Sequence, residues 1–143
     1  MKLKVSIGND HAGTDLKNRI LKEYADIYLF TNHGTDGLSS VDYPDFVHPV
    51  ARDVESGDFA FGIIICGSAN GVCMTANKHQ GIRAGLAWNK DVAALIKQHN
   101  NANIIGIPAR FLAEEDALEV LQTFIDQEYE GGRHQRRVDK ISC

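Results

Sequence analysis

The chain predicts an α/β fold in which a parallel sheet of five strands carries helices on both faces. Three observations lead there. Short runs of β-branched residues alternate with helix-period segments along the whole chain, the pattern left by successive strand–helix–strand units. One run, Phe59–Ile65, is apolar at nearly every position, as a strand covered on both faces must be. The 143 residues are 43% hydrophobic and 24% charged, enough apolar side chain for a real core, with no internal repeat, low-complexity tract or linker.

Taken in order, Lys4–Ile7 is a short β-rich run, and Leu16, Ile20, Leu21 and Tyr24 then recur at helical spacing. Ile27–Phe30 reads as the second strand. After the polar turn Asn32–Ser40, Tyr43-Pro44-Asp45 opens a helix, since a proline in the first turn forgoes no hydrogen bond. Phe46, Val47, Val50, Ala51 and Val54 form its apolar side, and Gly57 ends it. Phe59–Ile65 is the third, central strand, Val72–Asn77 a short helix and Ile82–Ala87 the fourth strand. Asp91–Gln98 is helical and Asn103–Ile107 the fifth strand. Ala113–Glu128 is a long amphipathic helix with Leu118, Leu121, Phe124 and Ile125 inward. Gly131-Gly132 frees the last residues from that helix, so residues 1–143 read as a single domain with 131–143 as its tail.

Composition excludes several classes. A net charge of −4 argues against a general nucleic-acid binder. No run of about eighteen apolar residues exists to span a membrane, and the start, Met1–Gly8, moves straight into a strand pattern rather than a secretory signal. Three cysteines without framework spacing favour reduced thiols, hence a cytoplasmic setting. Charge is nonetheless uneven: residues 114–130 hold seven acids and no base, whereas Arg133, Arg136 and Arg137 come next within a short acid-free stretch. Such a basic cluster is either a solvated tail or a grip for a small phosphate.

The strongest chemical signal is Ile63-Ile64-Ile65-Cys66-Gly67-Ser68-Ala69-Asn70-Gly71. A strand ends at a thiol, and a Gly/Ser/Asn turn leads into a helix. In open α/β sheets ligands sit beyond the carboxyl ends of strands, where helix-start N–H groups suit an anion and stabilise a thiolate. The segment reads as a nucleophilic or basic sulfur beside an oxyanion cradle; in isolation it reads as a junction where cysteine merely fills the core. Other polar groups gather at strand ends: Asn9-Asp10-His11 after the first, Pro108-Ala109-Arg110 after the fifth, and Asp42-Tyr43-Pro44 ahead of the second helix. Taken singly, Asp10 serves equally as a helix cap, while His11, His99 and Arg110 read as ordinary core or surface residues. So do His33, His48 and His79. His99-Asn100 ends a helix before a strand, so only packing can bring it to the others. A cysteine phosphatase is excluded because its phosphate-gripping arginine would stand at Val72. The G-x-G-x-x-G fingerprint and a Walker lysine are absent, and Cys66, Cys73 and His79 lack zinc-ligand spacing.

Seven motifs, in order, make a more specific likeness: Gly8-Asn9-Asp10-His11-Ala12-Gly13, Asp42-Tyr43-Pro44, Cys66–Gly71, Ala76-Asn77-Lys78, Gly81-Ile82-Arg83-Ala84, His99–Asn103 and Glu130–Arg137. Across nearly its whole length the chain resembles the type B ribose-5-phosphate isomerases and their galactose- and allose-6-phosphate isomerase relatives. The resemblance implies a Rossmann-like three-layer α/β/α sandwich. It also implies reversible aldose–ketose isomerisation of ribose 5-phosphate and ribulose 5-phosphate, in the pentose phosphate pathway, without metal or other cofactor. The enzyme would be a homodimer or dimer of dimers whose C-terminal tail reaches the partner's site. Family members usually have glycine where this chain has Ala69, and a Cβ there costs about 1 kcal/mol if the backbone needs positive φ. Some members use a glutamate at the position of Val72 as base; with Cys66 and Val72 this chain resembles the cysteine-base branch.

In that chemistry a proton leaves C2 and returns at C1 through an enediolate. Cys66 suits the base, Ser68 a relay between the two oxygens, and His99 the acid that opens the furanose ring. The amides of Gly67, Ser68, Ala69, Asn70 and Gly71 suit the developing charge. The resemblance places Asp10 and Asn100 on sugar hydroxyls and His11, Arg110, Arg133 and Arg137 around the phosphate. Arg133 and Arg137, four apart, share a face if helical. Two other readings remain: an isomerase of a six-carbon sugar phosphate, and a non-catalytic sugar-phosphate-binding subunit.

Overall fold

The computed structural model describes residues 1–143. Strands β1 (Leu3–Asn9), β2 (Tyr28–Asn32), β3 (Phe61–Cys66), β4 (Ala84–Leu86) and β5 (Ile104–Pro108) form one parallel sheet in the order β2-β1-β3-β5-β4. Helices α1 (Thr14–Tyr24), α2 (Pro44–Glu55), α3 (Asn70–Ala76), α4 (Lys90–Gln98) and α5 (Glu114–Asp126) connect or succeed the strands, and a short α6 (Gln135–Asp139) lies in the tail. From β1 the chain moves outward to β2, then returns past β1 to β3. The carboxyl ends of β1 and β3 therefore flank a topological switch point.

Strand alternation divides the core in two. Phe61, Ile63 and Ile65 of β3 join Val5, Ile7, Ile105 and Ile107 beneath α1, α4 and α5, whose Ile20, Ile96, Leu121 and Phe124 are buried there. Ile64 and Cys66 face the other way, with Ile104, against Val47, Val50 and Val54 of α2 and Val72, Cys73 and Ala76 of α3. The parity of one strand thus sends the Cys66 side chain toward α2 and α3. No helix is long and apolar enough to cross a membrane.

Three elements differ from expectation. β3 starts at Phe61 rather than Phe59 and runs through Cys66, which pairs with Pro108. The fourth strand shrinks to Ala84–Leu86 at the sheet edge. Side chains take up the adjoining backbone groups: Arg83 N–H donates to Asn103 Oδ1 at 2.8 Å and Ala84 N–H to Asn77 Oδ1 at 2.7 Å. The tail is folded, with a turn at Gly132–His134 leading into α6, and Glu130 N–H donates to the Gln98 carbonyl at 3.0 Å.

Two glycines set how closely helices approach the sheet. A Cβ on Gly8 would fall 2.2 Å from the Phe46 carbonyl oxygen of α2, and one on Gly106 would fall 2.3 Å from Cys73 Sγ of α3. Burial of Cys73, with a smaller contribution from Cys66, pushes its thiol from an ordinary 9.0 to about 12.

Gly8→Ala should force α2 off β1 and lower stability by about 1–3 kcal/mol, read from the urea midpoint at unchanged slope. Because the folded-state pKa of Cys73 is raised, the folded protein holds that proton more tightly than the unfolded chain. Its contribution to stability is complete below the unfolded thiol value of about 8.5 and is lost as pH rises toward the folded one. The melting temperature should fall above about pH 9, and Cys73→Ala should flatten that alkaline decline.

Candidate active site

At the carboxyl edge, β1 delivers Asn9 and Asp10 beside the end of β3, where Asp10 N–H donates to the Ile65 carbonyl at 3.2 Å. Asp10 Oδ1 accepts from Ala12 N–H at 2.9 Å and caps the turn His11–Gly13, leaving Oδ2 without a partner in the chain. The capping reading of Asp10 and the binding reading are compatible, one oxygen serving each. Asn9, fully buried, donates through Nδ2 to the Asp10 carbonyl at 2.9 Å and the Thr35 carbonyl at 3.1 Å. Buried Lys17 also reaches the Thr35 carbonyl, at 2.7 Å, and pairs with Asp36, whose carboxyl it holds below the ordinary range. These bonds bring the loop after β2 over the end of β1, where Val41 N–H donates to His11 Nδ1 at 3.2 Å. In neutral His11 the proton is therefore assigned to Nε2.

Cys66 is the last residue of β3 and is 6% exposed. The chain then turns through Gly67, Ser68 and Ala69, whose N–H groups donate to no carbonyl of the chain, while Asn70 N–H reaches only Ser68 Oγ at 3.3 Å. Ala69 has φ 62° and ψ 0°, the left-handed conformation, and is fully buried. An alanine thus occupies a positive φ that favours glycine. Successive amides ending in a left-handed residue form a concave anion site, so free N–H groups matter here more than the dipole of the seven-residue α3.

Two side chains close over this turn. A Cβ on Gly67 would lie 2.9 Å from Arg110 Cδ and 3.0 Å from Arg110 Nη1, and one on Gly71 would lie 2.5 Å from Tyr43 Cζ. Arg110 is held there by β5, since Arg110 N–H donates to the Gly67 carbonyl at 3.1 Å. Sequence reasoning misses Tyr43 as a site residue; its signal is the Asp42-Tyr43-Pro44 motif, paired with a glycine that needs a bare face. Beyond Ser68 and Asn70 lies a shallow cavity of about 500 Å³ lined by Leu86, Trp88, Pro108 and Phe111, and Trp88 and Phe111 stand exposed at its rim.

The remaining candidates lie at the opposite edge. His99 caps the C-terminus of α4, and Asn100 comes next, exposed, before β5 begins. His134 is buried and stacks on His99 with ring centroids 4.2 Å apart and planes at 17°. Glu130 Oε1 lies 3.8 Å from His99 Nε2 and 3.6 Å from His134 Nε2. Arg133 and Arg137 are exposed neighbours, Arg137 Nη1 donating to the Arg133 carbonyl at 3.1 Å. The Cys66–Pro108 pair stands four residues along the strands from the Gly62–Ile104 pair, about 13 Å at strand rise. Within one chain the structure therefore gathers Asp10, His11, Cys66–Gly71 and Arg110 on one edge. It gathers His99, Asn100, Arg133 and Arg137 on the other.

The His99, Glu130 and His134 ligand atoms fall within 4.8 Å of one another. The near-parallel rings, however, direct their lone pairs side by side rather than toward one point, unlike the tetrahedral convergence of a zinc site. The other histidines are structural: His33 bonds Asp53 at 2.7 Å beside Ser6, and His48 bonds His79 at 2.8 Å.

Comparison with known proteins bears on this arrangement. Residues 5–141 match the family model described as Ribose/Galactose Isomerase. A probable ribose-5-phosphate isomerase B of Mycoplasma genitalium is 39% identical over 147 aligned positions, covering 99% of this chain and 95% of that one. The crystal structure of a ribose 5-phosphate isomerase from Thermotoga maritima superposes with a TM-score of 0.94 at 38% identity, covering 99% of both chains. A structure of the Mycoplasma genitalium enzyme, with ribulose 5-phosphate bound, superposes with a TM-score of 0.91 at 38% identity, covering 99% of this chain and 95% of that one. The match runs from β1 to the tail and so spans both edges of the sheet: this chain belongs to the ribose/galactose isomerase family.

Proposed function

We propose that this protein interconverts ribose 5-phosphate and ribulose 5-phosphate, with Cys66 as the base that carries the proton between C2 and C1. The observation that carries this reading is the run of unpaired amides at Gly67, Ser68 and Ala69 directly after a thiol at a strand end. Fixed donors of this kind are most effective where negative charge develops, which in this reaction is on O1 and O2 of the enediolate. The ribulose 5-phosphate held by a relative of nearly the same backbone supports the substrate class.

In the reaction we infer, His99 protonates the ring oxygen as the anomeric O1–H gives its proton to solvent, and the furanose opens to the C1 aldehyde. The Cys66 thiolate removes the C2 proton, and the loop amides hold the enediolate. Ser68 Oγ passes a proton from one sugar oxygen to the other, and Cys66 returns its proton to C1. Asp10, through its free oxygen, and Asn100 hold hydroxyl groups. His11, Arg110, Arg133 and Arg137 hold the phosphate, whose binding fixes C1 and C2 against the thiol.

The separation of the two edges supports reading this chemistry as a property of a pair of chains. We infer that the amino-edge group of one protomer, His99 with Asn100, Arg133 and Arg137, faces the Cys66 loop of its partner. In a two-fold dimer the exchange is reciprocal and gives two equal sites. Trp88 and Phe111, exposed beside Ser68 and Asn70, supply apolar surface for such a contact at the mouth of the site.

The direct test is a side-by-side assay on ribose 5-phosphate, allose 6-phosphate and galactose 6-phosphate, with ribose 5-phosphate expected to be turned over fastest. Preference for a six-carbon substrate would replace the substrate assignment, and binding without turnover would replace the enzyme. Cys66→Ala should lower turnover by roughly 10²–10⁴-fold while leaving product binding by calorimetry largely intact. Cys73→Ser should be far milder.

Co-expression tests the sharing. Cys66→Ala and Arg133→Ala should each be nearly inactive alone. Random pairing makes about half of the dimers mixed, each with one intact site, so activity should return to about a quarter of wild type. No recovery, with mixed dimers shown to be present, would place the arginine and the thiol in the same chain's site.

A further inference from the structure

We infer that Glu130 and His134 are positioning residues for His99: His134 is the platform on which the His99 imidazole rests, and Glu130 is the counter-charge both rings share. This rests on the reading of His99 as the ring-opening acid. An acid must meet the ring oxygen within about 3 Å, and a misplacement of about 1 Å costs on the order of 100-fold in rate. Yet the His99 ring is half-buried and makes no hydrogen bond within its own chain. It is held by the stack on His134, at 4.2 Å and 17°, and by the Glu130 oxygen 3.8 Å from Nε2.

That support is itself anchored. His134 is only 9% exposed, and His134 N–H donates to the Gly131 carbonyl at 3.0 Å. The segment carrying both residues is tied to the end of α4 through Glu130 N–H to the Gln98 carbonyl at 3.0 Å and Gln98 Nε2 to Gln127 Oε1 at 2.6 Å. Burial, then the nearby charges of His99, Arg133 and Arg137, hold the His134 pKa below its ordinary value, against the opposing pull of Glu130. That direction favours the neutral ring, which suits a flat support rather than a second acid. Glu130 Oε1, 3.8 Å from His99 Nε2, is the carboxylate oxygen beside the His99 ring. The same short segment also carries Arg133 and Arg137, so acid and phosphate clamp are set in place as one piece.

The two roles of that segment separate experimentally. Ribose 5-phosphate presents a closed furanose, whereas ribulose 5-phosphate cannot close such a ring, because its C5 oxygen carries the phosphate. Solvent deuterium entering C1 of ribulose 5-phosphate, monitored by NMR, therefore needs the Cys66 step but not ring opening. His134→Ala and Glu130→Gln should lower kcat on ribose 5-phosphate about tenfold, while KM and the deuterium exchange stay within about twofold of wild type. His134→Phe, which keeps the aromatic platform, should restore most of kcat. Equal losses of turnover and exchange, a raised KM with kcat unchanged, or full activity in all three variants would overturn the inference. The first two would assign the segment to phosphate binding or folding alone. If circular dichroism shows that His134→Ala does not fold, His134→Phe and Glu130→Gln decide by the same criteria. Two controls separate this inference from the reading beneath it. Wild-type protein that neither isomerises nor exchanges would defeat the proposed activity, and His99→Asn that loses both equally would defeat the ring-opening role.

Discussion

Every strand of this sheet runs the same way, and that constraint governs the rest of the molecule. A parallel strand can be reached only by a crossover, so each segment that leaves a strand emerges at one edge and each segment that precedes one arrives at the other. Asp10, Cys66 and Arg110 lie at the ends of β1, β3 and β5 and are brought together without any special device. His99 and Asn100 precede β5 and are carried to the far edge by α4, which returns against the strands. A roughly 13 Å strand span cannot be crossed by a side chain. A site using both groups would, as we propose, lie between chains, and the tail, bonded to its own α4, lies with the far group rather than the near one.

The near half depends on close approach. Turning directly from β3 into α3 requires a positive φ at position 69 and bare backbone at Gly67 and Gly71, where Arg110 and Tyr43 lie against the main chain. Alanine at position 69 costs about 1 kcal/mol relative to glycine in the left-handed region. Burial of its methyl, worth about 0.8 kcal/mol, offsets most of that. Alanine also has fewer conformations to lose on folding. The turn thus keeps the shape that a glycine would give and leaves the three amides free.

The six histidines show how one residue type is sorted by its neighbours. His33 is held by Asp53, and His48 by His79, which Glu55 also holds. His11 has its tautomer assigned by the Val41 amide. His99 and His134 share one carboxylate but differ in burial, and that difference makes one a platform and the other accessible. Nothing in the local sequence ranks them.

The features determined by sequence alone are those that depend on local pattern. The five strands and their connecting helices are legible in alternating runs of β-branched and helix-period residues, because each element's buried face is written at its own spacing. The placement of the near-half residues is legible too: Cys66 at a strand end before a Gly/Ser turn, and Asp10-His11 and Arg110 after other strands, lie where strand ends must put them. Strand order was not legible, since β4 and β5 exchange the places that simple succession would give them. Fully buried Ile104–Pro108 takes the interior and the short, half-exposed Ala84–Leu86 the edge. The sign of φ at Ala69, the cover of Tyr43 on Gly71 and the stack of His134 on His99 were likewise decided only by tertiary structure. Each is a contact between segments distant in the chain, and such contacts arise from how faces pack and where a crossover leaves its ends, which no single stretch of sequence encodes.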